Sequence, residues 1–190
     1  LTAVLLLGYT LLMDTGCANI VPPMGGPRDS LPPMLIAGRP VNASTRFTGK
    51  KITLEFNEFV QLDRVTEQLI ITPTPVKSPE VVAKLRTINI TLKDSPEANT
   101  TYAFDFGEAI RDVNENNVLK GFSYVFSTGE AIDSLQLSGT VILAETGKKD
   151  STLVVMLHTK KDDSAVAKEK PRYVTRVDNQ GRFTFRFLPK

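Results

Sequence analysis

KITLEF, residues 51–56, alternates apolar and polar side chains without interruption. Ile52, Leu54 and Phe56 therefore fall on one side of an extended chain, because successive side chains of a strand point to opposite faces. The pattern predicts a β-strand with one face in a hydrophobic core and the other in water.

The same period of two recurs further along the chain. Strands are predicted at residues 69–72, 81–85, 88–92, 102–106 and 122–126. Residues 62–68 could form a short helix. Turn-rich pieces such as TPTP at 72–75 separate the strands. Several short strands divided by turn signals predict an all-β fold, specifically a β-sandwich.

Part of this pattern resembles a known family. The stretches that carry the resemblance are ITLEFNEFV at 52–60, ITP at 71–73, NTTY at 99–102, IRDVNENN at 110–117 and YVFSTG at 124–129. They resemble a bacterial Ig-like domain of the S-layer SbsA type, which we assign to residues 34–129. The resemblance implies an Ig-like sandwich in a cell-envelope protein. The residues that carry the resemblance are strand and turn residues, so the resemblance implies no active site.

Residues 130–190 are predicted to form a second β unit. Its strands are expected at 137–142, 152–159, 172–177 and 182–187. DNQG at 178–181 is typical of a hairpin turn between the last two. The segment resembles the start of a carboxypeptidase regulatory-like (transthyretin-like) β-domain, a family that continues past the Leu-Pro found here at 188–189. We therefore expect an incomplete second β-sandwich with unpaired edges, and either low stability in this half or a longer natural chain.

The beginning of the chain carries an export signal. An apolar run at 3–13 leads into TGC at 15–17. The run suits a secretory signal peptide and is short for a helix that crosses a bilayer. The segment resembles a bacterial lipobox, although Asp14 stands where an apolar residue is usual. Because no basic segment precedes the apolar run, we expect further residues upstream.

These features predict a signal peptide at 1–16, lipidation of Cys17, and a Pro/Gly-rich linker at 17–33. The alternative is an ordinary free or buried cysteine. The segment after Cys17 also looks like the opening of Bacteroidetes-type lipoproteins. Acidic residues that resemble a surface-export signal in that group are absent from positions 18–21. The sequence thus favours the periplasmic face of the outer membrane over the cell surface.

The amino-acid composition limits which partners, disulfides and metal sites this chain can have. The formal net charge of +2 is too small to indicate a nucleic-acid partner. A single cysteine leaves no disulfide framework, and a single histidine, His158, excludes a multi-histidine metal site. We expect no cofactor.

One loop has part of a calcium motif. Asp112, Asn114 and Asn116 have the alternating spacing of the first half of a calcium-binding loop. Asn117 stands at the position of the sharp-turn glycine, and Ser123 at that of the bidentate glutamate. The pattern therefore favours an Asn- and Asp-rich turn over a metal site.

No catalytic residue is predicted. Glu55, Glu58 and Asp63 could be imagined as a glycosidase carboxylate pair, but nothing in the sequence places two of them across a cleft. Exposed acids on an alternating strand are usually solvated. His158 alternates with Met156, which favours a strand residue over a catalytic base.

Four tripeptides, DSL at 29–31 and 133–135, DST at 150–152 and DSA at 163–165, resemble the Asp-Ser/Thr-aliphatic acceptor motif of Bacteroidetes-type O-glycosylation. The candidate serines are Ser30, Ser134, Ser151 and Ser164. Asp-Ser is also ordinary turn chemistry, so both interpretations stay open.

Together these predictions describe a non-enzymatic cell-envelope lipoprotein. Its Ig-like module would be a structural or protein- or glycan-binding spacer, held to the membrane by its lipid. Two alternatives stay open: accessory modules of a larger envelope enzyme whose catalytic domain lies beyond residue 190, and a calcium-stabilised surface adhesin.

Overall fold

The computed structural model describes residues 26–190. The signal peptide at 1–16 and the lipidation site at Cys17 lie outside these residues. The strands are β1 (Leu35–Arg39), β2 (Lys51–Phe56), β3 (Val60–Leu62), β4 (Ile70–Thr72), β5 (Glu80–Lys84), β6 (Thr87–Thr91), β7 (Thr101–Asp105), β8 (Ile110–Asp112), β9 (Val118–Leu119), β10 (Ser123–Ser127), β11 (Leu135–Thr140), β12 (Val154–Leu157), β13 (Tyr173–Arg176) and β14 (Arg182–Leu188). The helices are α1 (Val65–Gln68) and α2 (Ala165–Lys168).

Two antiparallel sheets form the sandwich, with strand orders β1-β2-β6-β5 and β10-β7-β4. β2 alternates as predicted, with Ile52, Leu54 and Phe56 fully buried and Lys51 and Glu55 exposed. The second sheet and the residues next to it contribute the core rings of Tyr102, Phe104, Phe106, Tyr124 and Phe126. The predicted all-β sandwich is therefore confirmed.

Strands β7 and β10 differ from the predicted pattern because both of their faces are buried. The outward-pointing Thr101 and Ser127 are 2% and 1% exposed, and Ala103 and Val125 are each 7% exposed. Strands β13 and β14 contact β4 and β7, and they cover this side of the sheet. The expectation that the outer face lies in water is wrong here, since residues distant in sequence pack over it.

The free edge of β10 is protected by an irregular segment, residues 42–47. This segment runs parallel to β10 through a bridge between Ser44 and Phe126. Its backbone bonds include Ala43 N to Val125 O at 2.7 Å and Phe47 N to Ser127 O at 3.0 Å. A covered edge cannot template the addition of a foreign strand.

A buried tyrosine fixes the approach of β1 to the second sheet. Tyr124 is fully buried, and its hydroxyl donates to the carbonyl oxygen of Pro40. The ring passes directly beside Gly38 of β1, where a Cβ atom would lie 2.0 Å from the tyrosine oxygen. Only glycine fits at this position without displacing the ring.

A third sheet, β3-β8-β9, closes one end of the sandwich. β3 pairs with β8 in antiparallel register, Gln61 opposite Arg111. The short β9 returns beside β8, and the turn between them carries Asn114, Asn116 and Asn117 directly after the buried Asp112 that ends β8.

The C-terminal unit has four strands in two antiparallel pairs, β11-β14 and β12-β13. The predicted turn at 178–181 forms, with the Gly181 N–H bonded to Asp178 O at 2.9 Å and Gly181 at φ +77°. The strands on either side of this turn nevertheless take different partners, so it does not close a hairpin ladder. Several apolar side chains of β11 and β12 are exposed, namely Leu135, Leu137, Val154 and Met156.

Within residues 26–190, the helices are too short to span a bilayer.

Candidate functional site

Asp112 organises the turn that carries the calcium candidates. Its carboxylate is fully buried and accepts backbone N–H groups from Glu115 at 2.6 Å and Asn116 at 3.1 Å on Oδ1, and from Asn117 at 2.6 Å on Oδ2. Burial raises the pKa of Asp112, but the backbone N–H groups of residues 114–117 outweigh that effect. The pKa of Asp112 consequently lies below its ordinary value.

The three calcium candidates share one loop, but their side chains make different contacts. Both Asp112 oxygens face backbone donors, and Asn116 Oδ1 accepts from Gln61 Nε2 at 2.6 Å. Asn114 is exposed. A calcium ion would need those same oxygens as ligands. Within the described part of the chain, no three His, Cys, Asp or Glu side chains are grouped to hold a metal.

The three acids considered for catalysis lie on separate elements. Glu55 is on the exposed side of β2, Glu58 follows that strand, and Asp63 follows β3. Asp63 Oδ2 accepts from Arg111 Nη2 at 2.8 Å. Partial burial, followed by the charge of Asp112, raises the pKa of Glu58. The loops give these carboxylates separate environments and no shared cleft.

His158 directly follows β12 rather than lying within a strand. Its side chain is half-buried, and its Nε2 atom has no hydrogen-bond partner among residues 26–190.

A bidentate ion pair joins the sandwich to the C-terminal unit. Arg172 Nη1 and Nη2 donate to Glu97 Oε1 and Oε2 at 2.7 and 2.6 Å. The Glu97 N–H donates to the hydroxyl of Tyr102 at 2.8 Å, which fixes the backbone behind the carboxylate. The hydrogen bonds from Arg172 hold the pKa of Glu97 below its ordinary value.

Two further polar contacts reinforce this junction. Thr101 Oγ1 donates to Asp133 Oδ2 at 2.8 Å and accepts the Asp133 N–H at 2.9 Å. Arg176 Nη2 donates to the carbonyl oxygens of Gln68 at 2.5 Å and Glu67 at 3.1 Å. We call these, with the Arg172–Glu97 pair, the inter-unit contacts. They fix β13 beside the edge strand β4.

Glu97→Gln is expected to lower the free energy of unfolding by about 1 kcal/mol at neutral pH, since the pair is bidentate but partly exposed. Because the pKa of Glu97 is lowered by folding, its contribution is complete above its ordinary value of 4.5 and is lost as the pH falls through the folded value. Urea unfolding of wild type and variant at neutral and strongly acidic pH measures both the size and the pH dependence of the Glu97 contribution.

Glu130→Gln is the matched control, because the Arg46–Glu130 pair has side chains that are 73% and 83% exposed. It should leave stability unchanged. A Glu97→Gln effect that is as large in strong acid as at neutral pH would contradict the assignment.

A cleft of about 820 Å³, the inter-unit cleft, lies between the outer face of the β10-β7-β4 sheet and strands β11, β13 and β14. Thr72, Asp105 and Ser123 lie on the sandwich wall, and Tyr173 and Arg176 lie on the opposite wall. Burial raises the pKa of the Tyr173 hydroxyl, so this group stays protonated and able to donate a hydrogen bond. The walls therefore present donors, acceptors and an aromatic ring to one space.

This cleft was not predicted from the sequence. Its signal is the set of small or polar residues at outward positions of β7 and β10, such as Ala103, Asp105 and Ser123. That composition fits a solvated face as well as a covered one. Only the packing of strands about 70 residues later in the chain distinguishes the two.

The four candidate glycosylation serines differ in accessibility. Ser30, Ser134 and Ser151 are exposed, whereas Ser164 is half-buried before α2. Asp29 Oδ1 accepts the Leu31 N–H at 2.9 Å, and Asp150 Oδ1 accepts the Thr152 N–H at 2.8 Å. Each of these aspartates therefore closes an Asx turn around the serine that follows it. The turn interpretation describes the backbone at these sites, and glycosylation stays a prediction.

Three solved structures are similar to parts of this chain. A methionine-rich copper resistance protein from Escherichia coli, PcoC, is 22% identical over 50% of this chain and 95% of its own, with a TM-score of 0.36. The N-terminal part of the bacterial S-layer protein SbsC is 17% identical over 80% of this chain and 32% of its own, with a TM-score of 0.36. An L,D-transpeptidase from Mycobacterium smegmatis is 12% identical over 77% and 74% of the two chains, also at 0.36. No curated protein sequence matches the chain.

The decisive match is to a family model described as a bacterial Ig-like domain, over residues 29–128. The match ends before the C-terminal unit, so the assignment of residues 130–190 stays a prediction. Since the family model covers just over half of the 190 residues, this chain belongs to the bacterial Ig-like domain family.

Proposed function

We propose that the chain is a non-catalytic spacer of the bacterial cell envelope. Lipid on Cys17 tethers it to the outer membrane, on the periplasmic side, and the linker at 17–33 separates the sandwich from the bilayer. The two β units then present a binding face to an envelope protein or glycan.

The observation that carries the proposal is the set of inter-unit contacts. A bidentate Arg172–Glu97 pair and two carbonyl bonds from Arg176 stabilise one orientation of the two units. A fixed orientation suits a spacer, because it sets the distance and direction at which a distal surface is held.

The tether is supported by the sequence. TGC at 15–17 follows an apolar run and precedes a proline-rich stretch, as expected of a lipoprotein. Among the four candidate serines, we propose Ser30 and Ser151 as the O-glycan acceptors. Both are exposed in Asx turns, where a bulky group can be accommodated.

Cys17→Ala is expected to move the protein from the membrane fraction to the soluble fraction of cells that express the full natural chain, because the thiol that carries the lipid is gone. Immunoblots of separated fractions measure the partition, and mass spectrometry of the Cys17 peptide detects the acyl groups.

Ser30→Ala, in the same N-terminal region, is the control and should stay in the membrane fraction. An unchanged partition of Cys17→Ala, or an unmodified Cys17 peptide in the wild type, would refute the tether.

A further inference from the structure

Three exposed apolar side chains meet at the end of the sandwich that the β3-β8-β9 sheet closes. The backbone N–H of Val60 donates to Leu85 O at 2.9 Å, and the N–H of Val113 donates to Phe59 O at 3.0 Å, so three chain segments lie side by side there. Phe59, Leu85 and Val113 are 45%, 67% and 47% exposed. Phe59 carries the one exposed aromatic ring among residues 26–190. Single exposed apolar residues need no explanation, but a group of them marks a contact surface.

The turn that carries Leu85 does not itself require leucine. Leu85 is the first of the two residues that connect β5 to β6, and its backbone has φ +55°. Glycine or asparagine adopts this left-handed conformation with less strain. Because the side chain is also exposed, neither the turn nor the core accounts for a leucine here, whereas a contact made by the side chain would.

The segment that leads back toward Cys17 leaves from the same end. Asn117 Nδ2 donates to Asp29 O at 3.2 Å, and the Met34 N–H donates to Asn57 Oδ1 at 2.7 Å. Leu31 and Met34 are 67% and 60% exposed, so they enlarge the apolar group. We call the whole group the end patch: Leu31, Met34, Phe59, Leu85 and Val113.

The length of the linker keeps the end patch near the lipid anchor. Arg28 Nη2 donates to Glu115 O at 3.1 Å, so Arg28 is fixed at this end. It lies eleven residues after Cys17, and an extended chain of that length spans at most about 40 Å. A tether this short gives a weak contact an effective concentration in the millimolar range, so a small apolar patch suffices.

The charges at this end favour a zwitterionic surface. Arg86 Cζ lies 5.4 Å from the centroid of the Phe59 ring, so a guanidinium stands at the rim of the patch. It can bond lipid phosphates while the ring enters the apolar layer. Glu58 and Glu115 are half-buried at the same end, and anionic headgroups would repel them.

We propose that the end patch inserts into the surface of the zwitterionic bilayer to which Cys17 is anchored. This rests on the tether in the proposed function and names the surface that the sandwich contacts. The linker then sets the greatest distance between the sandwich and the bilayer, and the end patch holds the sandwich upright on the membrane.

The test anchors the full chain through Cys17 to phosphatidylcholine vesicles, by its own acyl groups or, where the cell adds none, by coupling the thiol to a maleimide lipid. Since the chain has no tryptophan, Phe59→Trp supplies a single fluorescent reporter. Its emission should shift to shorter wavelength on anchoring, and lipids brominated in their acyl chains should quench it roughly twofold or more, because the ring enters the membrane interface. Val41→Trp is the matched reporter and should show neither change, since Val41 is 70% exposed but follows the far end of β1.

A second substitution tests whether the patch causes the contact. Leu85→Glu in the Phe59→Trp chain should remove the shift and the quenching, because a carboxylate is costly to move out of water. Val82→Glu is the matched control, since Val82 is 46% exposed on β5 but lies outside the end patch, and it should leave both signals unchanged. Each replaced side chain is exposed, so the variants should fold, and thermal melts verify this.

Several results would overturn the proposal. They are equal signals from the Phe59→Trp and Val41→Trp reporters, no effect of Leu85→Glu, and quenching that needs phosphatidylglycerol and disappears in high salt, which would make the contact electrostatic. A shift without quenching by the brominated lipids would also overturn it, because it would indicate docking between copies of the chain. Mass spectrometry of the Cys17 peptide is read separately. An unacylated Cys17 with a positive reporter on maleimide-coupled vesicles would therefore remove the natural tether and leave the patch assignment standing.

Discussion

Asp112→Ala is expected to lower the free energy of unfolding by about 3 kcal/mol or more. The substitution removes a fully buried carboxylate that accepts backbone N–H groups from Glu115, Asn116 and Asn117. Each buried donor left without a partner costs about 1–3 kcal/mol, although water entering the loop will recover part of that loss. Urea unfolding followed by far-UV circular dichroism measures the change, since the chain has no tryptophan to report it.

The pH dependence of this effect has a definite sign. Folding lowers the pKa of Asp112 from its ordinary value of 3.8. Its stabilisation is therefore complete above that value and is lost as the pH falls through the folded value. The difference in the free energy of unfolding between wild type and Asp112→Ala should therefore become smaller in strong acid.

Two further variants test whether the buried carboxylate of Asp112 causes this effect. Asp112→Asn keeps one acceptor oxygen but points an amide donor at a backbone N–H, so it should still destabilise the protein. Asp150→Ala removes an aspartate that caps an exposed turn at Thr152, and its effect should be far smaller. Equal losses of unfolding free energy in Asp112→Ala and Asp150→Ala would show that the buried Asp112 carboxylate stabilises the protein no more than an exposed aspartate in a turn.

Gly38→Ala is expected to destabilise the sandwich by about 2–3 kcal/mol, because an inserted methyl group overpacks a filled core. The new Cβ would lie 2.0 Å from the Tyr124 hydroxyl oxygen and 2.8 Å from its ring carbon Cζ. The ring cannot easily move aside, since it is fully buried and its hydroxyl is bonded to Pro40. Thermal and urea unfolding measure the loss.

A double-mutant cycle tests the stated cause. Tyr124→Phe removes the oxygen that the methyl group meets, so Gly38→Ala should cost less in that background than in the wild type. Gly26→Ala is the control, because nothing lies within 4 Å of its Cβ position. Strict additivity of Gly38→Ala and Tyr124→Phe would contradict the steric explanation.

The sequence predicted β2, β5 and β6 of the first sheet to within one residue because their evidence is local, but it did not predict β1. Ile52, Leu54 and Phe56 alternate with polar residues, of which Lys51 and Glu55 are exposed and Thr53 is half-buried, and β2 spans the predicted residues 51–56. The outer face of β7 could not be predicted in the same way. Thr101 and Ala103 are small enough to suit water or a packed neighbour, and which of these they meet depends on strands far along the chain.

The site was less predictable than the fold, for a related reason. The spacing of Asp112, Asn114 and Asn116 identified the loop but not which atoms its oxygens contact, because spacing does not report backbone direction. Asp105 and Arg176 lie on strands that no local signal brings together, so the inter-unit cleft was invisible in the sequence. Similarly, the turn at 178–181 was recognised, but the partners of β13 and β14 were not.

The parallel course of residues 42–47 beside β10 has a mechanical consequence. The segment lies near the start of the Ig-like domain and β10 lies near its end. A pulling force applied to the two ends of the domain would draw these two neighbours in opposite directions along their common axis. The bonds from Ala43, Phe47 and Arg46 to β10 and the residues after it would then be loaded in shear together rather than broken one at a time, which would favour resistance to tension in the tethered chain proposed above.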